Sequence, residues 1–250
     1  MNIAVAGKGG TGKTTFTSLL IRTLLKNGER PIFAVDADAN ANLNEALGFE
    51  VHTTISKLLQ DFKDMDGRPP GGMDKMSYMQ YQITSSLVEE DDVDLLVMGG
   101  PLGPGCYCYP NDLLKKFMED LSSNYPYVIM DNEAGLEHLS RRTTQDIDIL
   151  FVISDSSARG IRSAGRVKNI VDEIDLDVDE IYLVVTKVDE ELIEMLEEEI
   201  EKTGLELIGT VPQDRQIMEY DLKGMPLIDL PDDSVAVQAI EEIVEKTVLD

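Results

Sequence analysis

The sequence predicts an α/β fold: a mostly parallel central sheet of about seven to eight strands with helices on both faces. Three observations carry that expectation. Short apolar runs alternate with stretches of helical apolar spacing along most of the 250 residues. A glycine-rich loop, Gly7 to Thr15, lies between the first apolar run and the first helical stretch. Two later apolar runs end in an aspartate, Asp36 and Asp131. Strand–helix alternation of this kind implies parallel pairing with right-handed crossovers, within one domain spanning 1–250.

Taken in order, Asn2 to Ala6 (NIAVA) reads as a strand, Phe16 to Leu25 as a helix, and Gly28 as its stop. Pro31 to Val35 forms a second strand that runs into Asp36-Ala37-Asp38-Ala39-Asn40. His52 to Asp94 is expected to hold short helices and one or two edge strands, with Met65, Met73, Met76 and Met79 packing rather than binding metal. Val93 to Met98 is a buried strand leading to a Gly/Pro-rich loop with Cys106 and Cys108, then a helix from about Asp112 to Leu121. Tyr127 to Met130 is a strand ending in Asp131. There follow strand Ile149 to Ile153, helix Gly160 to Asp172, strand Ile181 to Val185, an acidic helix near Glu190 to Lys202, strand Leu207 to Val211 and a last helix from about Ser234 to Val248.

The segment GKGGTGKTT has the spacing G-x-x-x-x-G-K-[ST], with Gly7, Gly12, Lys13 and Thr14 in the fixed places. The chemistry of a phosphate-binding loop explains these residue types. Gly9, Gly10 and Gly12 let backbone N–H groups curl around phosphate oxygens, and Thr11 and Thr15 complete the wall. Lys13 supplies a point charge to the β- and γ-phosphates, and the Thr14 hydroxyl is a hard ligand suited to Mg²⁺. A helix starting near Lys13 aims its positive end at the same anion. Asp131, at the end of an apolar strand far along the chain, reads as the carboxylate that supports Mg²⁺.

Composition narrows the partners. Lys+Arg 22 against Asp+Glu 48 gives a net charge of −26. Such a chain repels phosphate backbones and anionic membranes, so no nucleic-acid and no membrane partner is expected. No apolar run approaches the ~20 residues of a spanning helix. The N-terminus opens on a strand and phosphate loop, not a signal peptide, and a cytoplasmic location is expected.

Lys8, the second loop residue, makes the loop resemble the deviant Walker A group of P-loop NTPases, which includes the nitrogenase iron protein, septum-site and plasmid-partition ATPases, and metal-insertion ATPases. The resemblance implies that Lys8 reaches the nucleotide of a partner subunit, so that hydrolysis is tied to a homodimer. It implies that Asp38, in the first switch VDADANANL, polarises the attacking water, with Asp36 nearer the metal. The proline that often follows that aspartate is here Ala39. It implies a Gly135 N–H that can donate to the γ-phosphate. VVTKVDEE resembles the base-binding strand end of related hydrolases, bringing in Thr186 and Lys187, although Thr186 stands where asparagine is usual. Asp189 superficially suggests guanine, but the resemblance favours ATP/ADP. Val211 and Pro212, in VPQD, are similar to an adenine-side loop with largely backbone contacts.

Cys106 and Cys108 are the only cysteines. A loop just before a helix N-terminus favours the thiolate, the metal-binding form. A C-x-C pair does not readily form an unstrained disulfide. Two thiolates also fall short of a four-ligand soft-metal site, whereas two pairs meeting on a dimer axis supply four sulfurs. The whole set GKGGTGKTT, VDADAN, GCYC, MDNEAGLEHLSRRT and VPQD resembles the nickel-inserting ATPases that mature carbon monoxide dehydrogenase and acetyl-CoA synthase. That resemblance implies Ni²⁺ or Zn²⁺ on Cys106 and Cys108 and one of those enzymes as client. Within MDNEAGLEHLSRRT, His138 is read as structural. Two alternatives stand beside it. One is an electron donor like the nitrogenase iron protein, which would want a cysteine just after Asp131, where Asn132, Glu133 and Ala134 stand. The other is a positioning ATPase, which would want a basic surface or tail, where VAVQAIEEIVEKTVLD is acidic.

Overall fold

The computed structural model describes residues 1–65, 69–100, 116–132, 146–174, 176–188 and 194–249. Among the described residues, eight strands form one sheet: β1 (Asn2–Gly7), β2 (Ile32–Ala37), β3 (Val88–Glu89), β4 (Val93–Val97), β5 (Tyr127–Asn132), β6 (Asp146–Asp155), β7 (Asp177–Val188) and β8 (Glu206–Pro212). Their spatial order is β3-β4-β2-β5-β1-β6-β7-β8. Every neighbouring pair is parallel except β3 with β4. The expected sheet is therefore present, and its short edge strand lies in the stretch expected to hold one.

Strand alternation divides the core. Ile3 and Val5 of β1 and Ile32 and Ala34 of β2 face one layer, built from α1 (Lys13–Lys26), α2 (Leu43–Leu47) and, later in the chain, the last helix. Ala4, Ala6, Phe33 and Val35 face the other. That second layer contains α3 (Ile55–Asp64), α4 (Lys75–Ser86), the helical residues 116–122 (α5), α6 (Ala158–Glu173) and α7 (Glu197–Thr203). On the α1 side, α8 (Arg215–Lys223) lays Ile217 and Tyr220 against the core, and α9 (Val235–Thr247) buries Ala236, Val237, Ile240, Ile243 and Val244. Phe16 of α1 meets Phe151 of β6 with ring centroids 5.0 Å apart, tying the first helix to the centre of the sheet. The methionines of the middle region disperse: Met79 is in the core, Met65 packs on it, and Met73 and Met76 are exposed.

β1 is the point where the order turns. The chain leaves β1 for β2 on one side, and β6 later pairs on its other side. Ligands of open α/β sheets sit in the crevice at such a switch, beyond the carboxyl ends of the strands. Here those ends are Gly7, Ala37, Asn132 and Asp155.

Candidate functional site

The phosphate loop begins where β1 runs out. Gly7 has φ +149°, and a Cβ there would stand 2.2 Å from the Ile153 carbonyl oxygen of β6. Only glycine lets the chain leave the strand so close to its neighbour. The Lys8 carbonyl is the loop's internal acceptor: Thr11 Oγ1 donates to it at 2.8 Å, and Lys13 Nζ lies at 3.5 Å. The Lys13 side chain is buried while its ammonium folds back over the loop, and Lys8, Gly9 and Gly10 are exposed.

α1 starts on Gly12, which offers no side-chain cap, and its first turn carries no acidic residue. The helices α3, α4, α6, α8 and α9 all begin on a side chain that accepts a first-turn N–H: Thr54, Asp74, Ser157, Asp214 and Ser234. The short helices α2 and α7 also lack a side-chain cap, but among the described helices of eight or more residues α1 alone does, and its positive end opens on the glycine loop, an arrangement suited to an external anion.

Two carboxylates stand behind this helix end. Asp36 and Asp131 are register partners on β2 and β5, on the same face as α1 and fully buried. Thr14 Oγ1 donates to Asp131 Oδ2 at 2.7 Å. Asp131 Oδ1 is buried with no hydrogen-bond partner. Burial pushes the Asp131 carboxyl up to about 7, against the lowering effects of the Thr14 hydroxyl and Lys13. Asp36 is different: its Oδ1 accepts the Asp38 N–H at 3.1 Å and its Oδ2 the Leu43 N–H at 2.9 Å. Burial raises it to about 6, opposed by those two N–H groups. Asp36 thus holds the loop that carries Asp38 and starts α2. Asp38, half-buried, accepts at Oδ1 from the Asn40 backbone N–H and side-chain amide at 2.9 and 3.0 Å.

Among the described residues no group of three or more His, Cys, Asp or Glu forms a metal cage. The fit for Mg²⁺ is a smaller constellation. Thr14 gives its proton to Asp131, leaving its oxygen lone pairs to coordinate, beside a buried carboxylate oxygen that lacks a partner. Mg²⁺ takes one or two such protein oxygens and completes its octahedron with water and substrate phosphate.

On the other side of the loop, Thr186 Oγ1 donates to the Thr11 carbonyl at 2.6 Å and lies 3.1 Å from the Ser154 carbonyl. Lys187 Nζ donates to the Gly10 carbonyl at 2.8 Å. Val211 and Pro212 end β8 alongside them. Thus Gly7, Lys8, Gly9, Gly10, Thr11, Gly12, Lys13, Thr14, Thr15, Asp36, Asp38, Asp131, Thr186 and Lys187 gather at one end of the sheet, with Val211 and Pro212 next to Thr186 and Lys187. Cys106, Cys108, Gly135, His138 and Asp189 lie outside the described residues.

Sequence reasoning missed Asn132. It is buried where β5 leaves β1, donates from Nδ2 to the Val5 and Met130 carbonyls at 3.2 Å, and has an unpartnered Oδ1. Its only sequence signal is a polar residue following Asp131 directly. Asp214, the last residue of VPQD, caps α8 and accepts from the Ser234 hydroxyl at 2.6 Å, locking the end of β8 to α9, a packing task the motif does not announce.

Residues 3–227 match the family described as CobQ/CobB/MinD/ParA nucleotide binding domain, and the chain belongs to that family. It is 45% identical over 250 residues to an uncharacterized ATP-binding protein of Methanocaldococcus jannaschii, covering 99% of this chain and 98% of that one. It is 29% identical over 244 residues to the carbon monoxide dehydrogenase accessory protein CooC of Rhodospirillum rubrum, covering 92% and 90%. Its fold is similar to that of the MinD cell division protein of Aquifex aeolicus, with a TM-score of 0.72 at 22% identity, covering 100% and 97%. The expected P-loop NTPase architecture is thereby established.

Proposed function

We propose that this member of the nucleotide-binding family is an ATPase that dimerises on ATP and carries Ni²⁺ or Zn²⁺ on Cys106 and Cys108 for delivery to carbon monoxide dehydrogenase or acetyl-CoA synthase. The observation that carries the hydrolytic part is the Asp131 carboxylate, buried beside the Thr14 hydroxyl with one oxygen unused. A buried, unsatisfied carboxylate oxygen is unfavourable by roughly 1–3 kcal/mol or more, and a bound cation relieves that. In this reading Thr14 and Asp131 hold Mg²⁺, which supplies charge neutralisation at the phosphates. The start of α1 and Lys13 bind the phosphate oxygens, and Lys8 extends from the exposed edge of the loop toward a second subunit. Asp38 orients the attacking water, and Asp36 keeps Asp38 in place through its N–H.

The metal-delivery part is supported by the 29% likeness to an accessory protein of carbon monoxide dehydrogenase and by the C-x-C pair of this sequence. The strongest rival is a positioning ATPase, supported by the likeness to septum-site MinD proteins, for example 24% identity over 236 residues with that of Synechocystis. The structure gives a reason to rank it second. The apolar face of α9 packs into the core, and Lys246 is its only basic residue, so that helix offers no basic amphipathic face to a membrane.

Anaerobic metal titration of the purified protein with elemental analysis and sizing, with and without ATP·Mg²⁺, tests the proposal. The expected outcome is one Ni²⁺ or Zn²⁺ per dimer, lost in Cys106→Ser with hydrolysis retained, while Lys8→Ala and Asp38→Ala lose hydrolysis. Four irons per dimer with visible absorption would support the electron-donor reading instead. Absence of any metal would remove the delivery role and leave the ATPase.

A further inference from the structure

The end of β7 breaks the strand rules in one place. β7 pairs with β8 as Thr186 with Val211 and Val188 with Pro212, so Lys187 is an extra residue without a partner across the ladder. Its φ is +56°, in the left-handed region that a side chain other than glycine adopts at a cost of roughly 1–2 kcal/mol. This is a β-bulge, and it inverts the side-chain alternation. Val185 and Val188, three residues apart, both face the same core layer. Thr186 and Lys187 are thereby both directed to the phosphate loop, which a regular strand cannot do with successive residues. The Ser156 hydroxyl fixes the bulge by donating to the Lys187 carbonyl at 3.0 Å.

What the two side chains hold is specific. Lys187 takes the Gly10 carbonyl and Thr186 the Thr11 carbonyl. In a trans peptide the C=O and the following N–H point in opposite directions. Drawing these two successive carbonyls toward β7 turns the Thr11 and Gly12 N–H groups away from β7. The Thr11 N–H there reaches the Lys8 carbonyl, at 3.4 Å. Strain of this sort persists where surrounding contacts over-determine it, and it concentrates at functional sites.

We infer that Thr186 and Lys187 are positioning residues that hold the phosphate loop in its anion-binding shape from the β7 side, acting on the phosphates of a nucleotide and not on its base. The inference rests on the nucleotide-binding part of the proposed function. It gives the T-K pair a task different from the base recognition that the sequence resemblance implies.

The test is calorimetric titration of full-length wild type, Lys187→Gly, Lys187→Ala, Lys187→Arg and Thr186→Val with two probes, ADP·Mg²⁺ and inorganic tripolyphosphate·Mg²⁺, alongside ligand-free melting curves. Lys187→Gly is the decisive variant, because glycine relieves the positive φ while removing the ammonium. Its melting temperature is expected to match or exceed that of wild type, yet both probes bind about tenfold more weakly, the effect of one charge-assisted hydrogen bond. Lys187→Arg, which can still donate to the Gly10 carbonyl, restores part of the affinity. Thr186→Val is expected to weaken both probes alike. Wild-type affinity for both probes in Lys187→Gly overturns the inference. So does weakened ADP binding with undiminished tripolyphosphate binding, because that pattern belongs to base recognition. Wild-type protein that binds neither probe sinks the nucleotide reading beneath it, an outcome separate from the other two.

Discussion

β2 and β5 lie side by side, run parallel, and each presents a buried aspartate at the same level, Asp36 beside Asp131. Burial raises both carboxyls, to about 6 and about 7. Beyond that they diverge. Both Asp36 oxygens are taken by backbone N–H groups of the loop that follows, whereas Asp131 has one hydroxyl donor and one bare oxygen. The fold has used the first carboxylate to build a loop and left the second incomplete. An aspartate on a strand end is therefore not a functional assignment by itself. What separates a structural carboxylate from a ligand-ready one is how many of its lone pairs the chain already occupies.

The comparison is broken most directly at Asp131. Asp131→Asn keeps the shape and removes the charge. Mg²⁺-dependent hydrolysis is expected to fall by about 10²–10³-fold, on the order of losing one preorganised electrostatic group in an active site. The ligand-free protein is expected to melt no lower than wild type, because a neutral amide is cheaper to bury than a carboxylate. Turnover within a few-fold of wild type would mean that Asp131 is structural after all.

At Asp36 the expected pattern reverses. Asp36→Ala leaves the Asp38 and Leu43 N–H groups without their acceptor in a buried setting. A loss of about 1–3 kcal/mol in denaturant unfolding follows, at an unchanged m-value. Hydrolysis falls with it only as far as Asp38 loses its position. A stability change below about 0.5 kcal/mol would show that the 38–43 loop does not depend on this carboxylate.

The same contrast explains what was legible beforehand. The loop GKGGTGKTT and the strand ending in Asp131 were readable because each is a local pattern with a local cause. The sheet was readable from apolar runs that alternate with helical spacing. The start of α1 at Lys13 was readable from the loop motif and not from periodicity, which begins only at Phe16, because Gly12 gives no capping signal. The task of Asp36 was not readable, since one of its partners is the backbone of Leu43, seven residues on, and a backbone N–H leaves no trace in sequence. α4 has no readable bounds because KMSYMQYQITSS mixes polar and apolar residues with little one-sidedness, and α8 because no residue of it is fully buried. The bulge at Lys187 was invisible for a different reason. Nothing in VVTKV distinguishes a regular strand from one that turns two successive side chains the same way.

The finest separation between the two aspartates is in how stability depends on pH. A carboxyl whose value in the folded chain lies above its ordinary 3.8 holds a proton that the unfolded chain has already released. Its contribution to stability is fully present below about 4 and is lost as pH rises through the folded value. For Asp36 that loss tails off above about pH 6, and for Asp131 above about pH 7. Ligand-free wild type should therefore lose stability between pH 4 and 7 from this pair, superimposed on whatever the acidic surface contributes. Asp131→Asn should flatten the upper part of that fall and leave the part ending near pH 6. Mg²⁺ competes with the Asp131 proton, so its stabilising effect on wild type should grow as pH rises through 7 and be nearly absent in Asp131→Asn. Melting curves at three pH values, with and without Mg²⁺, measure this directly. A fall unchanged in Asp131→Asn would place the titrating group elsewhere and remove the distinction between the two strand ends.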